Sequence, residues 1–206
     1  MGTHDLPFDG IRGLSPADSD AFRQHLGRLD AESLHNRFAM TVSTDFLDTY
    51  ATRCFALGEL VYGYAEQDIL RASAEMRSLA EPDGHDAELV FSVETAWRNR
   101  GIGRALFERM IAAARERGIE RLHMNCLAWN RPMQALARKF QADIHFEPGD
   151  IVGTVIADTG LFGSGQALAE REDFTSAVVD LPRPSRPRWT RLTGLLRREN
   201  GAIWKA

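Results

Sequence analysis

The residue types best suited to chemistry lie in one short segment, between a run of apolar residues at 89–93 and an amphipathic pattern that begins directly afterwards. This segment consists of Arg98, Asn99, Arg100, Gly101, Ile102, Gly103 and Arg104. A glycine-containing turn from a strand into a helix leaves backbone N–H groups unpaired at the positive end of the helix dipole, where phosphate oxygens bind. Glycines let a ligand approach the backbone, and the three arginines add charged donors. The segment therefore predicts a phosphate or pyrophosphate site.

Two common phosphate-binding motifs are excluded by the residues present. A P-loop ends in Gly-Lys-Ser/Thr, but Gly103 is followed by Arg104 and Ala105. The dinucleotide fingerprint needs a third glycine, and Leu106 occupies that position. An ordinary strand-to-helix turn with solvated arginines remains the alternative interpretation.

The spacing Arg98-x-x-Gly101-x-Gly103 resembles the acetyl-CoA pyrophosphate loop of the GNAT family of N-acetyltransferases, and the resemblance extends over about residues 8–157. It implies an α/β (α+β) fold, in which a mixed, mostly antiparallel and splayed sheet is flanked by helices. In this fold the fourth and fifth strands diverge at their C-terminal ends, and acetyl-CoA lies in the wedge between them.

Hydrophobic periodicity supplies the elements that this fold requires. We predict a first strand from Ile11, two short helices over residues 22–38, strands at 55–64 and 69–79, and a helix that ends near Gly118. In the 69–79 strand we expect Leu70, Ala72, Ala74 and Met76 on one face and Arg71, Glu75 and Arg77 on the other, polar face. A fifth strand is expected at 121–127, followed by a helix with Pro132 in its first turn and two extended segments within 141–155.

The resemblance also implies roles for single residues. Val93 aligns with a position whose backbone pairs with pantetheine and whose N–H polarises the acetyl carbonyl, and Glu94 and Thr95 continue this contact. Asn130 takes the position of an asparagine that bonds the pantetheine or pyrophosphate arm of CoA. Simple N-capping of the following helix is the alternative role for Asn130, and the two roles are compatible.

Glu88, ten residues before Arg98, is the candidate general base. A lysine amine has a pKa of about 10.4 and is almost fully protonated near pH 7, so acetylation requires its proton to be removed. The segment around Glu88 resembles the bacterial protein-lysine acetyltransferases, in which a glutamate at this position is taken as the base. Pairing of Glu88 with Arg71 or Arg77 across the sheet is an equally favoured alternative.

The chain departs from the family at the residue that protonates the leaving thiolate. The position where many members carry tyrosine falls at Ala137, and residues 130–140 contain no tyrosine. Cys126 could donate a proton, although a buried free cysteine is the more common role. We interpret His123 as structural.

Composition limits the remaining possibilities. The 206 residues are 44% hydrophobic, which suffices for a sizeable core. Two cysteines offer no disulfide framework, and the scattered histidines show no metal-binding pattern. We expect no signal peptide and no membrane span, and a bacterial, cytoplasmic location.

The C-terminal segment differs in charge from the rest of the chain. Residues 181–206 carry seven Arg and Lys against one Glu, a net charge of plus six, whereas residues 1–180 carry minus ten. We therefore divide the chain into an acetyltransferase domain, 1–180, and a basic tail, 181–206. Packing of the tail on the acidic domain is favoured over nucleic-acid binding. Residues 174–181 predict a further strand that pairs at the sheet edge or across a homodimer.

The sequence thus predicts an N-acetyltransferase that passes the acetyl group of acetyl-CoA directly to an amine, without a metal. A protein lysine is the preferred acceptor, followed by a small amine and then an N-terminal amine. The alternative, from a different class, is a non-catalytic acyl-CoA-binding module that regulates a partner.

Overall fold

The computed structural model describes residues 10–79, 84–147 and 150–157. Within these ranges the strands are β1 (Ile11–Gly13), β2 (Leu60–Glu66), β3 (Ile69–Ser78), β4 (Asp86–Val93), β5 (Arg121–Leu127), β6 (Asp143–Glu147) and β7 (Asp150–Ile156). The α-helices are α1 (Ser19–Gly27), α2 (Ala31–Phe38), α3 (Thr44–Ala56), α4 (Ile102–Glu116) and α5 (Arg131–Lys139). Short 3-10 helices occupy Pro16–Asp18 and Thr95–Trp97. None of the helices in these ranges has the length and apolarity needed to cross a membrane.

The strands form one mixed sheet in the order β1-β2-β3-β4-β5-β7-β6. Every neighbouring pair is antiparallel except β4 and β5, which are parallel. These two strands pair only at their N-terminal ends, and the last matched residues are Glu88 and His123. Beyond that point β4 and β5 have no ladder hydrogen bonds to each other, so the sheet opens into a wedge. This confirms the predicted mixed, mostly antiparallel and splayed sheet.

The segment between β1 and β2 differs from the prediction. It contains three α-helices rather than two, because Ser43 caps a helix that the sequence reading missed. The Ser43 side chain accepts a hydrogen bond from the Phe46 N–H, and Leu47, Ala51 and Cys54 then bury one face of α3 at helical spacing. The predicted strand at 55–64 was therefore wrong at its start, since residues 55 and 56 close α3 and β2 begins at Leu60.

The two faces of the sheet carry different cores. Helices α4 and α5 cover one face with an apolar cluster that includes Leu89, Leu106, Phe107, Met110, Leu122 and Met124. Helices α1 and α3 contribute to a second cluster that includes Phe22, Leu26, Leu47, Val61 and Leu70. A change of register beside Tyr64 and Ala65 interrupts the alternation along the β2–β3 pair. Leu70 therefore packs in the second cluster, away from Ala72, Ala74 and Met76, which corrects the predicted face.

The predicted polar face of β3 is also covered. Glu75 is fully buried, and Arg71 and Arg77 are partly buried. The half-exposed strand expected from the alternation was therefore wrong, because α1 to α3 lie over this face. The predicted strand at 174–181, the tail and the boundary between residues 180 and 181 lie outside the described residues and stay predictions.

Candidate active site

The wedge between β4 and β5 is bordered by the beginnings of two helices. Both strands run in the same direction, so the chain leaves them at the same edge of the sheet. After β4 it enters α4 at Ile102, and after β5 it enters α5 at Arg131. Each helix begins with backbone N–H groups that lack intrahelical acceptors. The open part of the sheet thus has two partially positive helix ends close to it.

The turn before α4 has the backbone conformation that the glycine motif predicts. Asn99 and Gly101 adopt left-handed conformations, with φ of 60° and 84°. Gly101 is the N-cap of α4, and its carbonyl accepts the first intrahelical hydrogen bond, from the Ala105 N–H at 3.0 Å. Gly101 has no side chain that could accept hydrogen bonds from the N–H groups of the following first turn. Successive amides in such a turn form a concave site for an anion.

Gly103 has no structural requirement for glycine. It lies within α4 in ordinary helical conformation, and a Cβ added there would meet only the Leu136 Cδ2 atom, at 3.9 Å. Glycine inside a helix costs about 0.5–1 kcal/mol relative to alanine. The residue therefore weakens the helix without any gain in packing. Glycine leaves the backbone of this first turn uncovered by a side chain.

The three arginines of the motif have protein partners. Arg98 donates to the Ser33 hydroxyl at 2.6 Å and to the Val93 carbonyl at 3.3 Å. The guanidinium of Arg100 lies 5.5 Å from the centre of the Trp97 ring, and Arg104 donates to Glu108 at 2.9 Å. The structure thus directs Arg98 toward α2, whereas Arg100 and Arg104 stay exposed at the turn.

Glu94 has a side-chain role that the sequence reading missed. Its buried carboxylate accepts hydrogen bonds from Arg28 at 2.8 Å and Arg71 at 3.0 Å, and it lies 3.2 Å from the His25 Nδ1 atom. Burial alone would raise the pKa of Glu94, but the hydrogen bonds from His25, Arg28 and Arg71 outweigh it and lower the pKa to about 2. Burial lowers the pKa of His25, which also contacts the Ser92 hydroxyl at 2.9 Å. This cluster joins α1 and β3 to the end of β4.

Glu88 lies near the start of β4, on the face covered by α1 to α3. It is opposite Arg77 in the β3–β4 register, and their closest side-chain atoms, Arg77 Nη1 and Glu88 Oε2, are 4.0 Å apart. Each side chain is 21% exposed. Of the two alternative partners, Arg77 is therefore the neighbour of Glu88, whereas Arg71 binds Glu94.

Asn130 caps α5 in the structure. Its Oδ1 atom accepts a hydrogen bond from the Met133 N–H at 3.3 Å. Ala137 is 5% exposed and belongs to the apolar cluster under α5, so the usual tyrosine position holds a buried methyl group. The Cys126 side chain is buried. His123 lies 3.3 Å from Asp86 and 3.3 Å from the Thr154 hydroxyl, contacts that fit a structural role.

One group of potential metal ligands lies away from the wedge. In the part of the chain that the structure describes, ligand atoms of Cys54, Glu59 and Glu75 lie within 4.8 Å of one another. Both Glu75 oxygens already accept short hydrogen bonds, from Arg37 and from the Tyr50 hydroxyl, each at 2.5 Å. Burial, with the nearby carboxylates, raises the pKa of Cys54 far above its usual value. Because Arg37 already pairs with Glu75 and the Cys54 thiol is protonated, we interpret this group as a hydrogen-bonded cluster rather than a metal centre.

Comparison with known proteins agrees with this geometry. The model of the acetyltransferase (GNAT) family matches residues 29–141, a range that contains the turn, the wedge and both helix N-termini. This match places the chain, by family, among the acetyltransferases. The chain belongs to the GNAT family.

Solved structures share the fold at low sequence identity. The GNAT domain of S. lividans PAT has 22% identity and a TM-score of 0.63, over 71% of this chain and 89% of that chain. The protein yncA from Salmonella typhimurium, solved with its cofactor acetyl-CoA, has 21% identity and a TM-score of 0.58, over 72% and 94%. A ribosomal-protein-alanine N-acetyltransferase from Brucella melitensis has 20% identity and a TM-score of 0.58, over 71% and 98%.

Proposed function

We propose that the protein is an N-acetyltransferase that uses acetyl-CoA to acetylate an amine. The observation that carries this proposal is the left-handed, glycine-containing turn at the start of α4, beside the open edge between β4 and β5. Membership of the GNAT family and the neighbour solved with acetyl-CoA support the choice of this thioester.

In this proposal the pyrophosphate binds the backbone amides of residues 101–104, with Arg100 and Arg104 at the exposed rim. The Val93 backbone pairs with pantetheine, whose peptide-like groups can continue the hydrogen bonding of a strand that has lost its neighbour. The expected backbone contact of Glu94 does not fit, because its N–H donates to the Arg71 carbonyl and its carbonyl accepts from the Trp97 N–H. Asn130 borders the other side of the wedge, where its Oδ1 atom holds the start of α5. Arg98 stabilises the turn through the hydrogen bonds that it donates to the Val93 carbonyl and the Ser33 hydroxyl.

The chemistry would be direct transfer. The neutral amine attacks the thioester carbonyl, the carbonyl oxygen gains charge beside the Val93 N–H, and the C–S bond then breaks to release the CoA thiolate. Glu88 receives the proton that the amine must lose before or during attack. The thiolate, with an unperturbed pKa of about 8.5, can leave without the missing tyrosine. A protein lysine remains the preferred acceptor, because of the resemblance around Glu88.

Replacement of Gly103 by alanine tests the binding part of the proposal. The helix should gain about 0.5–1 kcal/mol, because the added Cβ has room and alanine favours helices. Acetyl-CoA affinity should fall about tenfold or more, since the methyl group obstructs the first turn. Urea unfolding and isothermal titration measure the two effects.

Gly27→Ala is the matched control. Gly27 is also helical, and a Cβ added there meets nothing within 4 Å. It should stabilise the protein to a similar extent without changing acetyl-CoA affinity. Equal affinities for wild type, Gly103→Ala and Gly27→Ala would contradict the assignment of the α4 turn as the pyrophosphate site.

The role of Glu88 is tested separately with Glu88→Gln, with the exposed Glu116→Gln as control. A general base predicts a fall in kcat of about a hundredfold or more at neutral pH, partial recovery at higher pH, and little change in acetyl-CoA KM. Release of CoA in the presence of lysine peptides or small amines provides the assay.

The second candidate function is the non-catalytic acyl-CoA-binding module. Two observations favour this function: Glu88 lies beside Arg77, and Ala137 is buried. Glu88 and Ala137 would then have purely structural roles. This function predicts acetyl-CoA binding without turnover on any amine, and no effect of Glu88→Gln on binding.

A further inference from the structure

Two side chains of the segment that joins β4 to α4 are turned toward α2. The Thr95 hydroxyl donates to the Asp30 Oδ2 atom at 2.5 Å, and Arg98 Nη2 donates to the Ser33 hydroxyl at 2.6 Å. Thr95 is the first residue of the short 3-10 helix that leads to the glycine turn, and Arg98 directly follows this helix. The segment is therefore attached to the start of α2 at two points.

Asp30 connects the two attachments. While its Oδ2 atom holds Thr95, its Oδ1 atom accepts the Ser33 N–H at 2.7 Å and also the Ser33 hydroxyl. Asp30 is thus the N-cap of α2 and at the same time a partner of the β4–α4 segment. The hydrogen bonds from Ser33 and Thr95 lower the pKa of Asp30 to about 2, so the carboxylate is charged throughout the physiological range. Thr95, Asp30, Ser33 and Arg98 form a continuous chain of side chains that begins and ends on the same segment.

Because of the position of α2, these four hydrogen-bonded side chains also affect the geometry of the wedge. Helix α2 contacts both β4 and β5, the two strands that separate. Arg98 also donates to the Val93 carbonyl, the last residue of β4. The connections from Asp30 therefore fix the path of the backbone from the end of β4 to the turn at Gly101.

We propose that Asp30 is a positioning residue for acetyl-CoA, which holds the β4–α4 segment in its binding conformation through Thr95 and through Ser33 and Arg98. This inference rests on the proposed function, because the proposed function assigns acetyl-CoA as the ligand of the turn. Asp30 touches no reacting atom in this scheme. Its contribution is preorganisation, since a segment that is already ordered loses less conformational entropy when the ligand binds.

A double-mutant cycle between Asp30 and Thr95 tests the inference. Asp30→Ala should weaken acetyl-CoA binding about tenfold and Thr95→Val about threefold to tenfold, because each removes a hydrogen bond that involves a charged group. The double variant should bind about as weakly as Asp30→Ala alone, since both substitutions break the same connection. The KM for acetyl-CoA should rise in each variant, whereas kcat should change less than about twofold.

Two further variants distinguish positioning from general loss of structure. Asp30→Asn keeps an N-cap for α2 and one acceptor oxygen, so it should recover part of the affinity that Asp30→Ala loses. Asp20→Ala removes an exposed carboxylate of α1, whose side chain is 88% exposed, and should leave the affinity unchanged. Thermal melts in each case report on the fold. If Asp30→Ala fails to fold, Thr95→Val and Asp30→Asn still provide the measurement.

The outcomes separate the two proposals. Independent, additive effects of Asp30→Ala and Thr95→Val, or a Thr95→Val variant with wild-type affinity, would overturn the positioning role and leave the acetyltransferase proposal standing. Wild-type protein that binds neither acetyl-CoA nor CoA would overturn both.

Discussion

The two faces of the sheet differ in what fills them. Under α4 and α5 the packing is apolar, and Phe107 stacks on Phe91 and Phe140 with ring centres 5.3 and 4.0 Å apart. Under α1 to α3 an apolar cluster shares the face with charged side chains, among them the fully buried Glu75 and the buried Glu94. One face therefore depends mainly on shape and burial of apolar area, and the other also on completed pairs of charges and hydrogen bonds.

The two faces therefore have different roles in the proposed function. The apolar face anchors α4, whose first turn carries the proposed pyrophosphate site. The polar face connects α1, α2 and β3 to the end of β4 through Glu94 and Asp30, next to the strands that separate. Substitutions on the first face should mainly change stability, whereas those on the second face should also change the geometry of the wedge.

Phe107→Ala should produce the largest loss of stability. Phe107 is 0% exposed, and its removal leaves a cavity between two stacked rings. We expect the free energy of unfolding to fall by about 3–5 kcal/mol. Urea denaturation monitored by circular dichroism measures it. A loss below about 1 kcal/mol would show that this face does not depend on close packing.

Glu75→Gln should have the next largest effect. Arg37 and Arg77 both contact this carboxylate, at 2.5 and 3.1 Å, and the Tyr50 hydroxyl donates to it. The neutral amide leaves the buried Arg37 without its counter-charge, whereas Arg77 keeps Glu59 at 2.9 Å, so we expect a loss of about 3 kcal/mol although the side-chain volume hardly changes. The exposed Glu116→Gln serves as control. Equal stability of the two variants in urea would remove the proposed contrast between the faces.

His25 should make stability depend on pH. Burial lowers its pKa, although Glu94 opposes the shift, so the folded protein keeps the ring neutral at pH values where the unfolded chain binds a proton. Below the unfolded pKa of about 6.5 the unfolded state therefore gains protons and stability falls. Between pH 7 and pH 5 we expect wild type to lose about 1 kcal/mol more than His25→Gln. Parallel losses in the two proteins would refute this origin of the pH dependence.

The elements that sequence reasoning located well have strong local signals. The fifth strand was predicted at 121–127, the bounds of β5, and the helix after the glycine turn ends beside Gly118, whose φ of 68° matches a glycine at a helix end. The β4–α4 turn and the N-cap Asn130 also follow from residue type and spacing, whereas the divergence of the fourth and fifth strands was implied by the family resemblance. Helix α3 was missed because its N-cap, Ser43, lies directly after the β-branched Thr41 and Val42 rather than before an evident amphipathic repeat.

Residue type and spacing therefore predict the local backbone: where the chain turns, where helices begin, and which turn can offer its amides to an anion. Tertiary structure alone decided that Glu75 is buried, that Arg98 reaches Ser33, and that Asp30 joins α2 to the β4–α4 segment. Local rules act over a few residues, because turns and caps depend on nearby backbone angles. Partners that are about 65 residues apart in the chain meet only when separate elements pack, and no spacing rule encodes that distance.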